Sequence, residues 1–206
     1  MSDYSYEVVG IFPLPILVAS LPRDFLQLEI DYFQDLESKT VDNVGNKVSK
    51  NKNVLGEPVL DRLNADCHNL LKCFVDKIYN PVDELEPYIT QSWVNYTTEG
   101  QDHHRHTHPN SWLSGVVYIN ADKEHDKIYF HNEPYKLISP VTKEHNPFNC
   151  TSWSIPVKTG DIVIFPSDIS HSVGTKTGNN TRVSLAFNSF VKGIVGSHDG
   201  STELIL

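Results

Sequence analysis

Asp102-His103-His104-Arg105-His106-Thr107-His108-Pro109 is the stretch around which the rest of the chain organises itself. Four of the ten histidines fall within its six central residues. On an extended strand alternate side chains share a face. His106 and His108 then point the same way, and His104 and Asp102 join them if the strand reaches back that far. Two imidazoles at i and i+2 on a strand end can take neighbouring positions on one metal ion. His104 with His106, or Asp102 with His104, are alternative pairs that spacing alone leaves open. A third ligand must come from elsewhere, and His171 is the candidate. It follows the strand-like run Gly160-Asp161-Ile162-Val163-Ile164-Phe165 through the short turn Pro166–Ser170. A bare His-rich run is otherwise a solvated loop that binds metal adventitiously.

Downstream, Thr181-Arg182-Val183-Ser184-Leu185-Ala186-Phe187-Asn188 alternates with period two. Arg182, Ser184, Ala186 and Asn188 share one face, and Val183, Leu185 and Phe187 the other. If the polar face turns inward, the guanidinium needs an anion. A planar guanidinium with a hydroxyl two residues away suits a carboxylate. The bland alternative is an Arg on a solvent face in an ordinary ion pair.

The chain has 206 residues, enough for one solid core and little else. Seventeen basic against 26 acidic residues leave a net charge of −9, which argues against nucleic acid as a partner. Hydrophobic residues at 39% and charged ones at 21% fit a globular chain. No apolar run approaches the roughly 20 residues of a spanning helix, and no basic segment precedes an apolar one at the start. Three cysteines (Cys67, Cys73, Cys150) give no disulfide framework and no zinc spacing. A reducing, cytoplasmic setting is therefore expected.

Residues 8–18 read as an edge strand interrupted by Pro13 and Pro15. Phe25, Leu28, Tyr32, Phe33 and Leu36 predict a helix over 23–38, and Leu60 to Ile78 a second over 58–79. Residues 41–56 read as a surface loop. After Pro87 short strand-like segments follow: 89–96, 113–119, 127–131, 161–165 and 182–190. This is the pattern of a sandwich, jelly roll or barrel. The proline-bearing stretch 132–156 is a candidate lid. The expected class is mainly β with N-terminal helices, in one domain over 1–206. Residues 1–87 would be helical support, 88–190 the core and 191–206 a tail.

Taken together, these segments resemble the 2-oxoglutarate/Fe(II)-dependent oxygenases, and within them a bacterial and phage subgroup. The resemblance rests on Trp93-Val94-Asn95, on His106-Thr107-His108-Pro109 followed by Ser114-Gly115-Val116-Val117-Tyr118, on Phe165-Pro166-Ser167 to His171, and on Arg182-Val183-Ser184 to Phe187-Asn188. Order and spacing match over about 93–190, roughly half the chain. The resemblance implies a double-stranded β-helix, a cupin-like jelly roll. It implies Fe(II) on His106, His108 and His171. It implies 2-oxoglutarate on Arg182 and Ser184, with Tyr118 near the same carboxylate and Tyr96 and Asn95 on the cosubstrate side.

In that family the second ligand is usually Asp or Glu, and here His108 takes its place. A third imidazole leaves the full charge on the metal, which the 2-oxoglutarate dianion can neutralise. His108 also fills the room that halogenating relatives open for halide. The implied reaction turns 2-oxoglutarate and O2 into succinate and CO2 while hydroxylating an unactivated C–H bond. The prolyl-hydroxylase-like Tyr118 segment points to a protein or peptide as prime substrate, with a small molecule as the other class. A bacterial or phage-infected cytoplasm and a homodimer are compatible with this reading. Two other readings compete. One is a cupin-type three-His dioxygenase working without 2-oxoglutarate, which usually carries a Glu soon after its HxH. No acid lies between His108 and Asp122. The other is a non-catalytic metal-binding module.

Overall fold

The computed structural model describes residues 5–132, 138, 140–197 and 199–206. In chain order the elements are β1 (Leu17–Ser20), α1 (Gln27–Glu37), β2 (Thr40–Asp42), β3 (Lys47–Ser49), α2 (Asp61–Phe74), β4 (Leu85–Thr97) and β5 (His103–His106). They continue with β6 (Leu113–Asn120), β7 (Lys127–His131), β8 (Ser152–Pro156), β9 (Asp161–Pro166), β10 (Ser170–Val173), β11 (Arg182–Val195) and β12 (Leu204–Ile205). The larger sheet runs β1-β9-β6-β11-β4-β3-β2, with β12 added on β11. The smaller runs β5-β10-β7-β8, and every ladder between named strands is antiparallel. This is a double-stranded β-helix with helices at its N-terminal side.

Alternation along the central strands sorts the two cores. Val94 and Tyr96 of β4, Val117 and Ile119 of β6, and Leu185 and Phe187 of β11 face the helices. There they meet Leu63, Cys67, Leu71 and Phe74, which recur at helical spacing along α2. The opposite faces look into the space between the sheets. Tyr118, Ile128, Phe130, Val163, Phe165 and Ile169 form a second cluster there. The α1 start is held by Glu29, which accepts from the Leu26 N–H at 2.8 Å and pairs with Arg23 at 2.7 and 2.8 Å. A π turn at Val75–Tyr79 extends α2 before Asn80, in the left-handed region, and Pro81 stop it.

Gly115 sits opposite Phe187 in the β6–β11 ladder, and a Cβ at 115 would run into the Phe187 ring. Phe187 is fully buried, so it cannot swing away. Gly115→Ala is therefore expected to cost about 1–3 kcal/mol through overpacking. The check is a fall in melting temperature, roughly 2–10 °C for a chain of this size.

The sequence expectations hold for 113–119, 127–131, 161–165 and both helices. Residues 41–56 differ. They carry β2's last residues, β3 and a 3-10 turn, because Val48 and Ser49 are buried and β3 adds to the edge of β4. The edge strand expected over 8–18 is displaced to β1, which overlaps it only at Leu17 and Val18, since Pro13 and Pro15 leave few groups able to pair. Of the candidate lid, residues 133–137 and 139 lie outside the described residues. Its end is β8, paired residue for residue with β7. No helix among the described residues is long and apolar enough to cross a membrane.

Candidate metal and carboxylate site

β5 pairs with β10 so that His106 lies directly opposite His171. The pairing then slips: Val173 faces His103, so His104 and Arg105 together oppose the single residue Ser172. This bulge resets the alternation. His103 and His106 both line the cavity between the sheets, together with His108 two residues past the strand end. The pairs built on His104 are thereby excluded as cavity-facing sets.

The ring centroids of His106 and His171 are 4.3 Å apart, those of His106 and His108 4.9 Å, and those of His108 and His171 5.0 Å. One donor nitrogen from each lies within 4.8 Å of the other two, and the Nε2 atoms of His108 and His171 are 3.2 Å apart. Nitrogens about 2 Å from one ion and at right angles around it sit about 3 Å from each other. The His106 Nδ1–H donates to the His104 carbonyl at 2.8 Å, and the His171 Nδ1–H to the Ile169 carbonyl at 3.0 Å. Backbone acceptors thus fix both tautomers and put both lone pairs on Nε2, that of His171 facing His108 Nε2. Burial pushes His108 down to about 3 and His171 to about 4, and it lowers His106 as well. Neutral imidazoles are what a cation requires. The donor set fits a divalent iron with open positions.

The facing wall comes from the larger sheet. In the ladders Ser184 lies opposite both Asn95 and Tyr118, Arg182 opposite Thr97, and Ala186 opposite Trp93. Trp93, Asn95, Tyr118, Arg182 and Ser184 therefore share the cavity with the histidines. Arg182 is buried, and its Nη1 lies 3.5 Å from Asp126 Oδ1. Lys176 Nζ approaches the same oxygen at 3.6 Å. Both separations are long for hydrogen bonds, and Asp126 Oδ1 has no hydrogen-bond partner. Among the ion pairs of the described residues, one carboxylate serves two buried cations, a net single positive charge beside the cavity. Burial raises the Tyr118 hydroxyl, so it remains a protonated donor. The buried Asn95 Oδ1 also lacks a partner.

Tyr96 is the exception among the expected cosubstrate residues. It neighbours Asn95 on β4, so its side chain emerges on the helix face. Its hydroxyl donates to the Phe33 carbonyl at 2.5 Å and lines a separate cavity of about 880 Å³ between α1 and the sheet. Conversely, His103, Asp126 and Lys176 were not singled out from sequence. A bulge and two buried charges remote in sequence leave no local pattern.

The described fold and site can be set beside known proteins. The family described as "Putative 2OG-Fe(II) oxygenase" matches residues 91–188. No curated protein matches the chain. Among solved structures, HygX from Streptomyces hygroscopicus with nickel, 2-oxoglutarate and hygromycin B bound is 18% identical. Its TM-score is 0.57, covering 85% of this chain and 82% of that one. The α-ketoglutarate-dependent epimerase SnoN from nogalamycin biosynthesis is 12% identical with a TM-score of 0.61, covering 89% and 79%. A Pseudomonas putida prolyl-4-hydroxylase is 13% identical with a TM-score of 0.56, covering 85% and 92%. At these identities the likeness is one of fold. The family match spans all three clustered imidazoles and the buried guanidinium. Residues 91–188 thus form a 2-oxoglutarate/Fe(II)-dependent oxygenase domain, that of an oxidoreductase whose cofactors are Fe(II) and 2-oxoglutarate.

Proposed function

We propose that the protein hydroxylates an unactivated C–H bond, with Fe(II) held by His106, His108 and His171. The observation that carries this is the convergence of three neutral imidazoles, from β5, the residues just after it and β10, upon a cavity that also holds a buried, incompletely paired Arg182. Bound iron would supply the oxidising power, with 2-oxoglutarate and O2 consumed to give succinate, CO2 and a hydroxylated product. The chain's own part is placement. Arg182 would pair with the cosubstrate carboxylate remote from the metal, with the Ser184 and Tyr118 hydroxyls and the Asn95 amide adding polar contacts. The apolar residues Ile128, Val116 and Val173 would keep water away from the reacting centre.

A protein or peptide is our first choice of prime substrate, supported by the fold shared with the prolyl-4-hydroxylase. A small molecule is the second, supported by the hygromycin B bound in HygX. We place the reaction in a bacterial or phage-infected cytoplasm, which the three free cysteines favour. The test is succinate release from 2-oxoglutarate by the iron-loaded protein under air, with candidate substrates followed by mass for the gain of one oxygen. Absence of succinate above the iron-free control would overturn the reading.

A further inference from the structure

One imidazole of the cavity is not needed for the metal. His103 lines the same space as the triad and Arg182 and sits 4.7 Å, ring to ring, from His106. Its Nδ1 lies 3.2 Å from the Asn46 side-chain nitrogen. Asn46 is 4% exposed and its orientation is set from both ends. Its Oδ1 accepts from Asn43 Nδ2 at 3.2 Å, and its Nδ2 also reaches Thr97 Oγ1 at 3.3 Å. The Asn46 amide is therefore the donor and His103 Nδ1 the acceptor. A neutral imidazole that accepts on one nitrogen carries its proton on the other. His103 Nε2–H is then a donor on the opposite ring edge, with no partner among the described residues.

The surroundings invest heavily in this placement. The bulge opposite Ser172 is what turns His103 inward. The β2–β3 turn that carries Asn46 is clamped to the start of β5. The Asp102 N–H donates to the Gly45 carbonyl at 3.2 Å. Gly45, at φ +88°, leaves no room for a Cβ, which would lie 2.7 Å from the Asp102 carbonyl oxygen. Thr97, which shares Asn46, is the ladder partner of Arg182. His103 thus lines one cavity with both the clustered imidazoles and the guanidinium.

We infer that His103 donates its Nε2–H to the same 2-oxoglutarate carboxylate that Arg182 pairs with, and that Asn46 is a positioning residue that holds the donor tautomer. This rests on the proposed cosubstrate role of Arg182. An N–H donor beside a buried guanidinium completes a carboxylate cradle, and a hydrogen bond to a charged group is among the stronger ones.

The experiment is anaerobic calorimetry of 2-oxoglutarate and of pyruvate on the Fe(II)-loaded protein. Pyruvate keeps the 2-oxo acid end and lacks the distal carboxylate. His103→Phe is expected to weaken 2-oxoglutarate about tenfold or more, with pyruvate binding and iron content unchanged. His103→Gln, which keeps an N–H donor, should stay nearer the parent. Asn46→Ala should show the same selective loss in smaller degree, which a merely structural role would not produce. Equal affinity of His103→Phe and parent for 2-oxoglutarate overturns the inference. So does parallel loss of both ligands, or loss of iron, which would make His103 a metal ligand. A parent protein that binds no 2-oxoglutarate would instead sink the proposed function itself.

Discussion

His171→Ala is expected to abolish stoichiometric iron binding. The side chain supplies one of three clustered imidazoles, and its Nε2 sits 3.2 Å from that of His108. Changes that merely disturb a ligand's hydrogen bond commonly cost 10–100-fold in metal affinity. Deleting the ligand should exceed about a hundredfold. Metal analysis of the purified protein checks this directly. A second check is thermal, because a bound ion stabilises only the folded state. The rise in melting temperature that added Fe(II) gives the parent should vanish in the variant. His171 also packs against Phe165, at 4.7 Å between centroids, so His171→Gln, which leaves less void, separates lost coordination from lost packing. Retention of full iron content by both variants would refute the proposed metal centre.

Replacing Arg182 should fail in a different way. Arg182→Met is expected to keep its iron and lose its grip on 2-oxoglutarate. Removing one partner of a buried charge pair costs about 2–5 kcal/mol in binding, at least roughly thirtyfold in Kd. The variant should nonetheless fold, because Asp126 keeps Lys176 as a buried counter-charge at 3.6 Å. What disappears is the surplus positive charge beside the cavity. Arg182→Lys restores the charge without the planar fork, and its affinity should fall between the two. Calorimetry on the iron-loaded proteins reads both numbers. An unchanged Kd in Arg182→Met would remove the guanidinium from the proposed cosubstrate site.

Much of this was legible in the sequence, for physical reasons that differ from place to place. The period-two alternation of Arg182 to Asn188 gave the inward polar face correctly, because β11 is a long regular strand buried on both sides. The helical repeat of α2 was equally plain. The pairing of His106 with His171 was inferred only as a need for a third ligand; no pattern in the sequence states which strands meet. Tyr96 shows the opposite failure. A family resemblance placed it at the cosubstrate, yet the pleat of β4 sends it to the helix side once Asn95 faces inward. Simple alternation from His106 points His103 outward, and a bulge is invisible without the partner strand.

The centre of the larger sheet is the ladder between β4 and β11, which begins by pairing Leu85 with Gly193. One of its strands, β11, follows every other strand but β12 in sequence order. During synthesis the helices and the ten strands β1–β10 emerge before the strand that fills the central slot. A nascent chain stopped before Arg182 would lack both the guanidinium and the strand that joins β4 to β6. Assembly of the sheet's centre and acquisition of the anion pocket therefore depend on the same strand.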